Sequence, residues 1–304
     1  MKVLITGANG QLGRELVRQG QRVDFEVRGL SRQQLDITKK NQIQQILAHI
    51  SPSLVINTAA YTQVDRAENE SDLAYAANKD GPAYLARYCA DNHLTLIHIS
   101  TDYVFDGTKG RPYQESDSIA PLGVYGQSKA QGEAAIRSIL PNHIIVRTAW
   151  LYGVYGNNFV KTILKLANEK TSLKVVADQF GSPTSAEDLA KALLVITKKI
   201  HTNEKIDWGT YHYCCQGITT WHGLAERIIE LAAPHAALKN RQVKAITTAQ
   251  WPTPVKRPPY SVLNCNRIKI RFGIEPEPWQ KSLKHTIDRI ISEIYNPLIV
   301  IRYS

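Results

Sequence analysis

The sequence predicts an α/β fold built on a doubly wound parallel sheet, with a smaller C-terminal lobe. Two observations predict it. Short apolar runs alternate with helical patterns through the first half of the chain, and a glycine-rich turn directly follows the first of these runs. Such alternation is typical of a parallel sheet with helices on both faces. We therefore expect residues 1–150 to form the sheet domain, and residues 151–304 to form mainly a lobe that is partly interleaved with the sheet.

The elements of the first half follow from the spacing of apolar residues. Apolar runs predict strands at Lys2–Thr6, Val23–Leu30, Leu54–Asn57, Thr95–Ser100 and His143–Arg147. Helical spacing after the first strand, at Leu12, Leu16 and Val17, predicts a helix there. Further helices are predicted at Lys39–Ile50, Leu73–Asp91 and Tyr125–Leu140.

The second half is less regular. Helices are predicted near Asn158–Glu169, Ala186–Lys199, His222–Ala233 and Leu283–Tyr295. The segment Trp251–Tyr260 contains too many prolines for a helix or a strand. No role is assigned to the tail at 296–304.

The glycine-rich turn, Gly7-Ala-Asn-Gly10-Gln-Leu-Gly13, predicts a dinucleotide site. A strand, a tight turn and a helix start place free N–H groups and a positive helix end where a pyrophosphate binds. The Gly-x-x-Gly-x-x-Gly spacing is one residue longer at its front than the commonest fingerprint. A plain strand–turn–helix is the alternative.

A tyrosine and a lysine four residues apart predict acid–base chemistry. On a helix Tyr125 and Lys129 share a face. A phenol titrates near pH 10, so a nearby lysine cation would be needed to lower the pKa of Tyr125 toward neutrality. Thr101 would supply a hydroxyl that positions a substrate oxygen. These side chains suit proton transfer coupled to hydride transfer, although an ordinary surface pair is the alternative.

The end of the second predicted strand indicates which dinucleotide is preferred. Ser31 and Arg32 offer a hydroxyl and a planar cation, which suit a 2′-phosphate. The acidic residues Asp24 and Glu26 are expected within the strand, too early to bind a ribose 2′-hydroxyl. We therefore predict NADPH over NADH, with a simply solvated Arg32 as the alternative.

Composition limits the partners. The chain has 304 residues and a formal net charge of +10, which favours anionic ligands such as nucleotides. Its basic residues are scattered and accompany no nucleic-acid motif, so a nucleic-acid partner is not expected. No apolar stretch is long enough to span a membrane. The four cysteines lack metal or disulfide spacing, which favours reduced thiols in a cytoplasmic protein without a metal site.

Three further motifs carry a family resemblance. The runs Ile99-Ser-Thr-Asp-Tyr-Val-Phe-Asp-Gly107, Pro121-Leu-Gly-Val-Tyr-Gly-Gln-Ser-Lys129 and Asp178-Gln-Phe-Gly-Ser-Pro-Thr184 resemble the extended short-chain dehydrogenase/reductase family, and within it the dTDP-4-dehydrorhamnose reductases. The similarity extends nearly end to end. It implies a Rossmann-like fold and a monomer or homodimer. It also implies NAD(P)H-dependent reduction of the C4 ketone of dTDP-4-dehydro-L-rhamnose to dTDP-L-rhamnose, a precursor of cell-surface polysaccharide.

The resemblance also implies roles for single residues. Thr101 and Tyr125 would bond the C4 oxygen, with Tyr125 as proton donor, and Lys129 would hold the nicotinamide ribose. The cofactor would meet Gly10, Gln11 and Leu12 at its pyrophosphate, Asp36 and Ile37 at its adenosine, and Ala60, Tyr61 and Thr62 at its nicotinamide. The substrate would meet Asp102 and Trp150 at its sugar and Arg257 at its diphosphate.

Several assignments have alternatives. Asp36 could instead cap the helix at Lys39, and Trp150 could be core packing. Some family members bind Mg²⁺ through glutamates at a dimer interface. Glu15 and Glu187 fall at matching positions, but solvated helix glutamates are the expectation, so Mg²⁺ is possible without being established.

Two other functions remain. A nucleotide-sugar epimerase or dehydratase could share the fold, but sugar dehydratases place Asp-Glu directly after the threonine, whereas Asp102 is followed by Tyr103. A tyrosine does not readily replace a glutamate base at neutral pH. A non-catalytic subunit similar to the regulatory chain of methionine adenosyltransferase is disfavoured by the intact Thr101, Tyr125 and Lys129.

Overall fold

The computed structural model describes residues 1–202, 204–235, 238–239 and 242–295. The tail at 296–304 lies outside the described residues. The strands are β1 (Lys2–Thr6), β2 (Glu26–Leu30), β3 (Leu54–Asn57), β4 (Thr95–Thr101), β5 (His143–Thr148), β6 (Leu151–Tyr152), β7 (Leu173–Val176), β8 (Phe180–Gly181), β9 (Thr184–Ser185), β10 (Gly209–His212), β11 (Thr219–Thr220) and β12 (Val243–Ile246). The helices are α1 (Gln11–Gly20), α2 (Lys40–Ile50), α3 (Ser71–Tyr75), α4 (Gly81–Asp91), α5 (Val124–Ile139), α6 (Phe159–Glu169), α7 (Ala186–His201), α8 (Trp221–Ala232), α9 (Asn266–Phe272) and α10 (Trp279–Tyr295).

The predicted parallel sheet is confirmed. Within the described ranges, six strands form one sheet in the order β10-β5-β4-β3-β1-β2, and each neighbouring pair is parallel. The chain leaves β1 toward β2 on one side and continues from β3 on the other. This reversal between β1 and β3 creates the crevice in which doubly wound sheets bind ligands.

The sheet is covered on both faces because its strands alternate apolar side chains between two cores. Val3 and Ile5 belong to one core, which includes residues of α1 and α7. Leu4 belongs to the other, which includes residues of α2 and α4. A third core packs α6, α8 and α10 together beyond the sheet. This burial on both faces explains why the strands are continuous apolar runs.

The second strand is shorter than predicted. It begins at Glu26 rather than Val23, so Asp24 lies in the preceding turn and not in the strand. The reason is that its partner β1 begins at Lys2, which pairs with Glu26, so Val23 has no β1 residue opposite it.

The predicted helix at Leu73–Asp91 is divided. Between α3 and α4 lies a π-helical turn, Ala76–Asp80. Pro82 lacks the N–H that would bond the carbonyl of Asn78 in a continuous α-helix. That carbonyl faces α5, where a Cβ added at Gly132 would lie 2.0 Å from it. The missing side chain of Gly132 thus lets α5 pack close to this turn.

The remaining predicted elements agree closely with the structure. The helices predicted at 39–50, 125–140, 158–169, 186–199 and 222–233 are observed within one or two residues of those bounds, and the last helix begins earlier, at Trp279. The proline-rich segment forms neither helix nor extended strand. The four cysteines are free thiols. Among the helices of the described residues, none is both long and apolar enough to cross a membrane.

Candidate active site

The glycine turn is fixed by close backbone approaches. Gly7 has a φ of +69°, and a Cβ there would lie 2.7 Å from the amide nitrogen of Ala59 in the loop after β3. A Cβ at Gly13 would lie 2.3 Å from the carbonyl oxygen of Gly7. Both positions therefore require glycine. The first amides of α1, from Gln11 to Gly13, point out of the helix end into the crevice, where they suit an anionic group such as a pyrophosphate.

A cleft adjoins this turn at the end of β2. It encloses about 460 Å³ and is lined by Asn9, Ser31, Arg32, Gln33 and Asp36. Arg32 is 81% exposed, and its Nε lies 3.5 Å from Asp36 Oδ2, so this long ion pair constrains it weakly. The guanidinium can therefore turn toward an anion in the cleft.

Asp36 lies in this cleft and is not the cap of α2. Its Oδ1 accepts hydrogen bonds from the Thr38 amide at 3.0 Å and the Thr38 hydroxyl at 2.8 Å, and Lys39 is the capping residue of α2. Burial works against ionisation, but the Thr38 hydrogen bonds and the Arg32 charge lower the pKa of Asp36. Its neighbour Ile37 is buried in the core and packs close to Gly81. The side chain of Ile37 is therefore turned away from solvent.

The loop after β3 is held beside the glycine turn by Asn78. The Asn78 Oδ1 accepts from the Tyr61 amide at 2.8 Å, and its Nδ2 donates to the Tyr61 carbonyl at 3.0 Å. The Tyr61 hydroxyl donates to Glu70 at 2.6 Å. Ala60 and Thr62 on either side are exposed. The loop therefore presents backbone and small side chains at the crevice, while the Tyr61 ring is turned toward Glu70.

Thr101 and Asp102 stand at the end of β4. Thr101 is buried; its hydroxyl donates to Asp102 Oδ1 at 3.0 Å and accepts from the Tyr103 amide at 3.1 Å. Burial raises the pKa of Asp102 to about 6, although the hydroxyls of Ser261 and Thr101 oppose that rise. The Tyr103 ring packs edge-on against Tyr125, with 5.6 Å between the ring centroids. These contacts bring Thr101, Asp102 and Tyr125 to one edge of the sheet.

The structure corrects the expected state of Tyr125. Its pKa is raised and not lowered, chiefly because burial disfavours the phenolate; the Thr101 hydroxyl opposes the rise, while Asp102 and Tyr103 add to it. Lys129 directs its Nζ elsewhere, to the carbonyl oxygen of Ile99 at 2.6 Å. A protonated phenol is the form that a proton donor requires, so the raised pKa is compatible with an acid role.

Sequence reasoning missed His98, which meets Lys129 inside the protein. The Lys129 Nζ lies 3.2 Å from His98 Nε2, and His98 Nδ1 lies 2.9 Å from Asn57 Nδ2. The signal available in the sequence was a single histidine within the apolar run of β4, where a polar side chain needs buried partners.

Arg257 reaches the same edge from the proline-rich segment. Its Nη1 donates to the Tyr103 hydroxyl at 2.8 Å, and its Nη2 donates to Asp65 Oδ2 at 2.6 Å. The guanidinium also lies over the Tyr103 ring, 5.8 Å from its centroid. Arg257 is therefore one aromatic ring away from Tyr125.

Trp150 lies in a stacked arrangement at the end of β5. Its ring is parallel to that of Trp221, with 3.6 Å between centroids, and Gly181 packs against it so closely that a Cβ would lie 2.4 Å from Trp150 Cε2. Trp150 has a φ of +47°, which is rare for a bulky residue. It is partly buried and packs against two clusters of buried hydrophobic residues, so core packing accounts for part of its environment. Trp221 belongs to a motif of the family resemblance, Thr220-Trp-His222, but no site role was predicted for it.

Comparison with known proteins shows the family of the chain. The model of the RmlD substrate binding domain family matches residues 1–292. The chain belongs to this family. A dTDP-4-dehydrorhamnose reductase of Aggregatibacter actinomycetemcomitans is 45% identical over 288 residues, covering 93% of this chain and 97% of that relative.

Solved structures of RmlD relatives also resemble the chain. A dTDP-4-dehydrorhamnose reductase of Clostridium acetobutylicum has a TM-score of 0.88 at 42% identity, covering 95% of this chain and 99% of the other. That of Bacillus anthracis, solved in complex with NADP, has a TM-score of 0.87 at 38% identity, with the same coverage.

Glu15 and Glu187, the possible Mg²⁺ ligands of the sequence analysis, are held by an arginine. Arg289 Nη1 lies 3.0 Å from Glu15 Oε1 and 2.5 Å from Glu187 Oε2. Glu15 also pairs with Arg18, and Glu187 with Lys191. The expectation that both are solvated was wrong, because Glu15 is only 1% exposed and Glu187 13%. The guanidinium occupies the position between the carboxylates that a bridging cation would need, so these residues do not fit Mg²⁺.

Proposed function

We propose that this chain is an NADPH-dependent dTDP-4-dehydrorhamnose reductase. It reduces the C4 ketone of dTDP-4-dehydro-L-rhamnose to dTDP-L-rhamnose, a nucleotide-sugar precursor of cell-surface polysaccharide. The observation that carries the proposal is the convergence of Thr101, Tyr125 and the glycine turn at one sheet edge, in a chain whose relatives of this name match it nearly end to end.

Tyr125 acts as the proton donor. NADPH held at the glycine turn would supply the hydride that C4 receives. Tyr125 transfers its phenolic proton to the C4 oxygen. The Thr101 hydroxyl turns from Asp102 and donates a hydrogen bond that orients that oxygen. Half-buried beside Thr101, Tyr125 keeps its proton at neutral pH until the developing alkoxide takes it. The Lys129 ammonium then compensates the phenolate that Tyr125 becomes.

The chain's own residues fit the cofactor. The Gln11, Leu12 and Gly13 amides would face the pyrophosphate, and Gly7 and Gly10 would allow its close approach. Ser31 and Arg32 would hold the 2′-phosphate, and Asp36 and Ile37 would lie near the adenosine. The nicotinamide would lie beside Ala60, Tyr61 and Thr62. Its ribose would meet Tyr125 and Lys129. The cleft at the end of β2 and the exposed guanidinium of Arg32 support NADPH over NADH.

The substrate contacts lie on the opposite side of Tyr125. Asp102 and Trp150 meet the sugar and Arg257 the diphosphate, with residues 1–150 as the dinucleotide-binding domain and 151–304 as mainly the substrate-binding lobe. Tyr103 packs edge-on against Tyr125 and accepts a hydrogen bond from Arg257. This arrangement supports the assignment of the substrate side, because it places the Arg257 cation one ring away from the proton donor Tyr125.

Tyr103 argues against dehydration or epimerisation through a second base. Its hydroxyl accepts from Arg257, and burial raises its pKa, so it does not serve as a base at neutral pH. The polar groups gathered around Thr101 and Tyr125 argue against a purely regulatory subunit. We further propose a cytoplasmic enzyme, active as a monomer or homodimer without Mg²⁺, which the free thiols and the Arg289 contacts support.

Enzymatically prepared dTDP-4-dehydro-L-rhamnose tests the proposal. Purified protein should consume one NADPH per dTDP-L-rhamnose formed, followed by NADPH absorbance and by NMR of the product. An epimerase or dehydratase would change the sugar without consuming NADPH in equal amount. A regulatory subunit would leave both reactants unchanged.

A further inference from the structure

A chain of buried polar groups runs behind the proposed active site, from β1 to α5. The Thr6 hydroxyl donates to Asn57 Oδ1 at 2.6 Å, Asn57 Nδ2 contacts His98 Nδ1 at 2.9 Å, and His98 Nε2 contacts Lys129 Nζ at 3.2 Å. Thr6, Asn57 and His98 are completely buried, and Lys129 is 2% exposed. Because no water competes for these groups, the donor and acceptor in one contact determine the donor and acceptor in the next.

The donor and acceptor in each of these hydrogen bonds are set first at Asn57. The amide of Ala59 can only donate, and it lies 3.2 Å from Asn57 Oδ1, so that oxygen cannot exchange places with Nδ2. Nδ2 must then donate to His98 Nδ1. A neutral imidazole that accepts at Nδ1 carries its proton on Nε2. Burial lowers the pKa of His98 well below its usual value, and a charge on Lys129 lowers it further whenever that lysine is protonated, so the ring is neutral in either case.

This tautomer points an N–H at Lys129. An ammonium has three N–H donors and no lone pair, so it cannot accept from His98 Nε2. A free amine can accept there and donate to the Ile99 carbonyl, as the observed distances require. Burial lowers the pKa of Lys129 to about 8, with Glu133 opposing, so the amine is accessible.

We propose that His98 is a positioning residue that selects both the proton state and the direction of Lys129. The His98 Nε2–H and the Ile99 carbonyl hold the amine form behind the sheet edge. When the amine takes up one proton from solvent, its third N–H opposes that of His98, and the ammonium turns toward Tyr125. This inference rests on the proposed function of Tyr125.

Other titratable groups near Lys129 do not determine its proton state in place of His98. Glu133 lies one turn along α5, but it is held by Arg147 at 2.9 and 2.7 Å and by Arg137 at 3.1 Å. Its carboxylate is thus largely compensated. Tyr125 lies one turn back along α5 as a neutral phenol, and His98 is the group that β4 presents.

Replacing Asn57 with aspartate reverses the tautomer. In Asn57→Asp, a carboxylate oxygen replaces Nδ2 and accepts from His98 Nδ1–H, so Nε2 becomes an acceptor for the Lys129 ammonium. Histidine-labelled protein reports this by ¹⁵N NMR, with the His98 signal assigned by its loss in His98→Gln. We expect the Nε2–H form in the wild type and the Nδ1–H form in Asn57→Asp. A wild-type Nδ1–H form would overturn the proposal, even if Asn57→Asp fails to fold.

The pH profile tests the effect on Lys129. The ammonium is present below its pKa and lost above it, so wild-type kcat/KM should fall as pH rises through about 8. Asn57→Asp should move this limb upward by about one unit or more. In the His98→Gln background the same change should move it much less. An equal shift in both backgrounds would mean that the new charge acts directly, and would overturn the role of His98.

The activity assay and the NMR measurement together distinguish a failure of this inference from a failure of the proposed function. If the protein oxidises no NADPH but shows the expected tautomers, the proposed function fails and the tautomer assignment stands. If it reduces the substrate with the opposite tautomer, the reductase stands and the inference fails.

Discussion

The guanidinium of Arg257 pairs with the carboxylate of Asp65, with 2.6 Å between Nη2 and Oδ2. The two residues are 192 positions apart, so the contact joins the proline-rich segment to the loop after β3. Arg257 is 18% exposed and Asp65 42%. When a diphosphate binds, Arg257 therefore exchanges the Asp65 carboxylate for another anionic partner. Its guanidinium is not left unpaired.

Arg257→Ala should weaken substrate binding selectively. Loss of a charge-assisted hydrogen bond costs about 1.5–3 kcal/mol, so KM for the nucleotide-sugar should rise roughly 10- to 150-fold. The Kd for NADPH should not change. Lys256→Ala, which removes an exposed neighbouring charge, is the matched control. If both ligands weaken equally in Arg257→Ala, the residue supports the fold and not the diphosphate.

Arg32→Ala should narrow the preference for NADPH over NADH. The guanidinium is 81% exposed and weakly held, so its loss removes a partner of the 2′-phosphate with little effect on folding. The readout is the ratio of kcat/KM for the two cofactors, with Arg22→Ala as an exposed control. Equal kcat/KM for both cofactors in the wild type would contradict the assignment of this cleft while leaving the reductase intact.

Local patterns predicted the sheet and its motifs. The apolar runs from Lys2 and Leu54 became β1 and β3, because burial on both faces selects continuous apolar strands. The glycine turn was also predictable, because Gly7 and Gly13 have no room for a Cβ and the sequence must therefore show glycine there. Thr101 was predictable because parallel strands end at one edge of the sheet.

Contacts between distant residues could not be read from such patterns. The spacing of Tyr125 and Lys129 predicted a shared helix face, but not that Lys129 would bond Ile99 and His98 on β4. Likewise, nothing near Glu15 indicated an arginine 274 residues away. In both cases the pKa or the ion pairing depends on burial and tertiary partners, which the local sequence does not encode.

Asp102→Asn should stabilise the protein at neutral pH while impairing activity. The folded pKa of about 6 exceeds the ordinary 3.8, so the folded state binds more protons between about pH 4 and 6. The free energy of unfolding contributed by this group therefore falls as pH rises through that window. The substitution should remove this pH dependence and raise the free energy of unfolding by about 2–3 kcal/mol at pH 7.

Chemical denaturation at pH 4.5 and pH 7 measures this effect. Asp72→Asn, at an exposed carboxyl group on α3, is the control and should leave the pH dependence unchanged. If Asp102→Asn also leaves it unchanged, Asp102 does not carry the raised pKa.

Metal removal should leave the wild-type enzyme unaffected. Because Arg289 lies between Glu15 and Glu187, a chelator should change neither kcat nor the unfolding midpoint. Arg289→Ala removes this cation and should cost about 1–3 kcal/mol of stability, partly restored by added Mg²⁺. Lys284→Ala, at an exposed pair on α10, is the control. A wild-type midpoint that falls on chelation would show that a metal, and not Arg289, joins these carboxylates.

The turnover number of Tyr125→Phe tests the central claim most directly. The substitution keeps the ring that packs against Tyr103 and removes only the hydroxyl. Followed by NADPH absorbance with dTDP-4-dehydro-L-rhamnose, kcat should fall about 100-fold or more, while the Kd for NADPH changes little. Tyr84→Phe, which removes a hydroxyl beside the core under α4, should retain wild-type kcat. A Tyr125→Phe enzyme that keeps more than about a third of the wild-type kcat would contradict the assignment of Tyr125 as the proton donor.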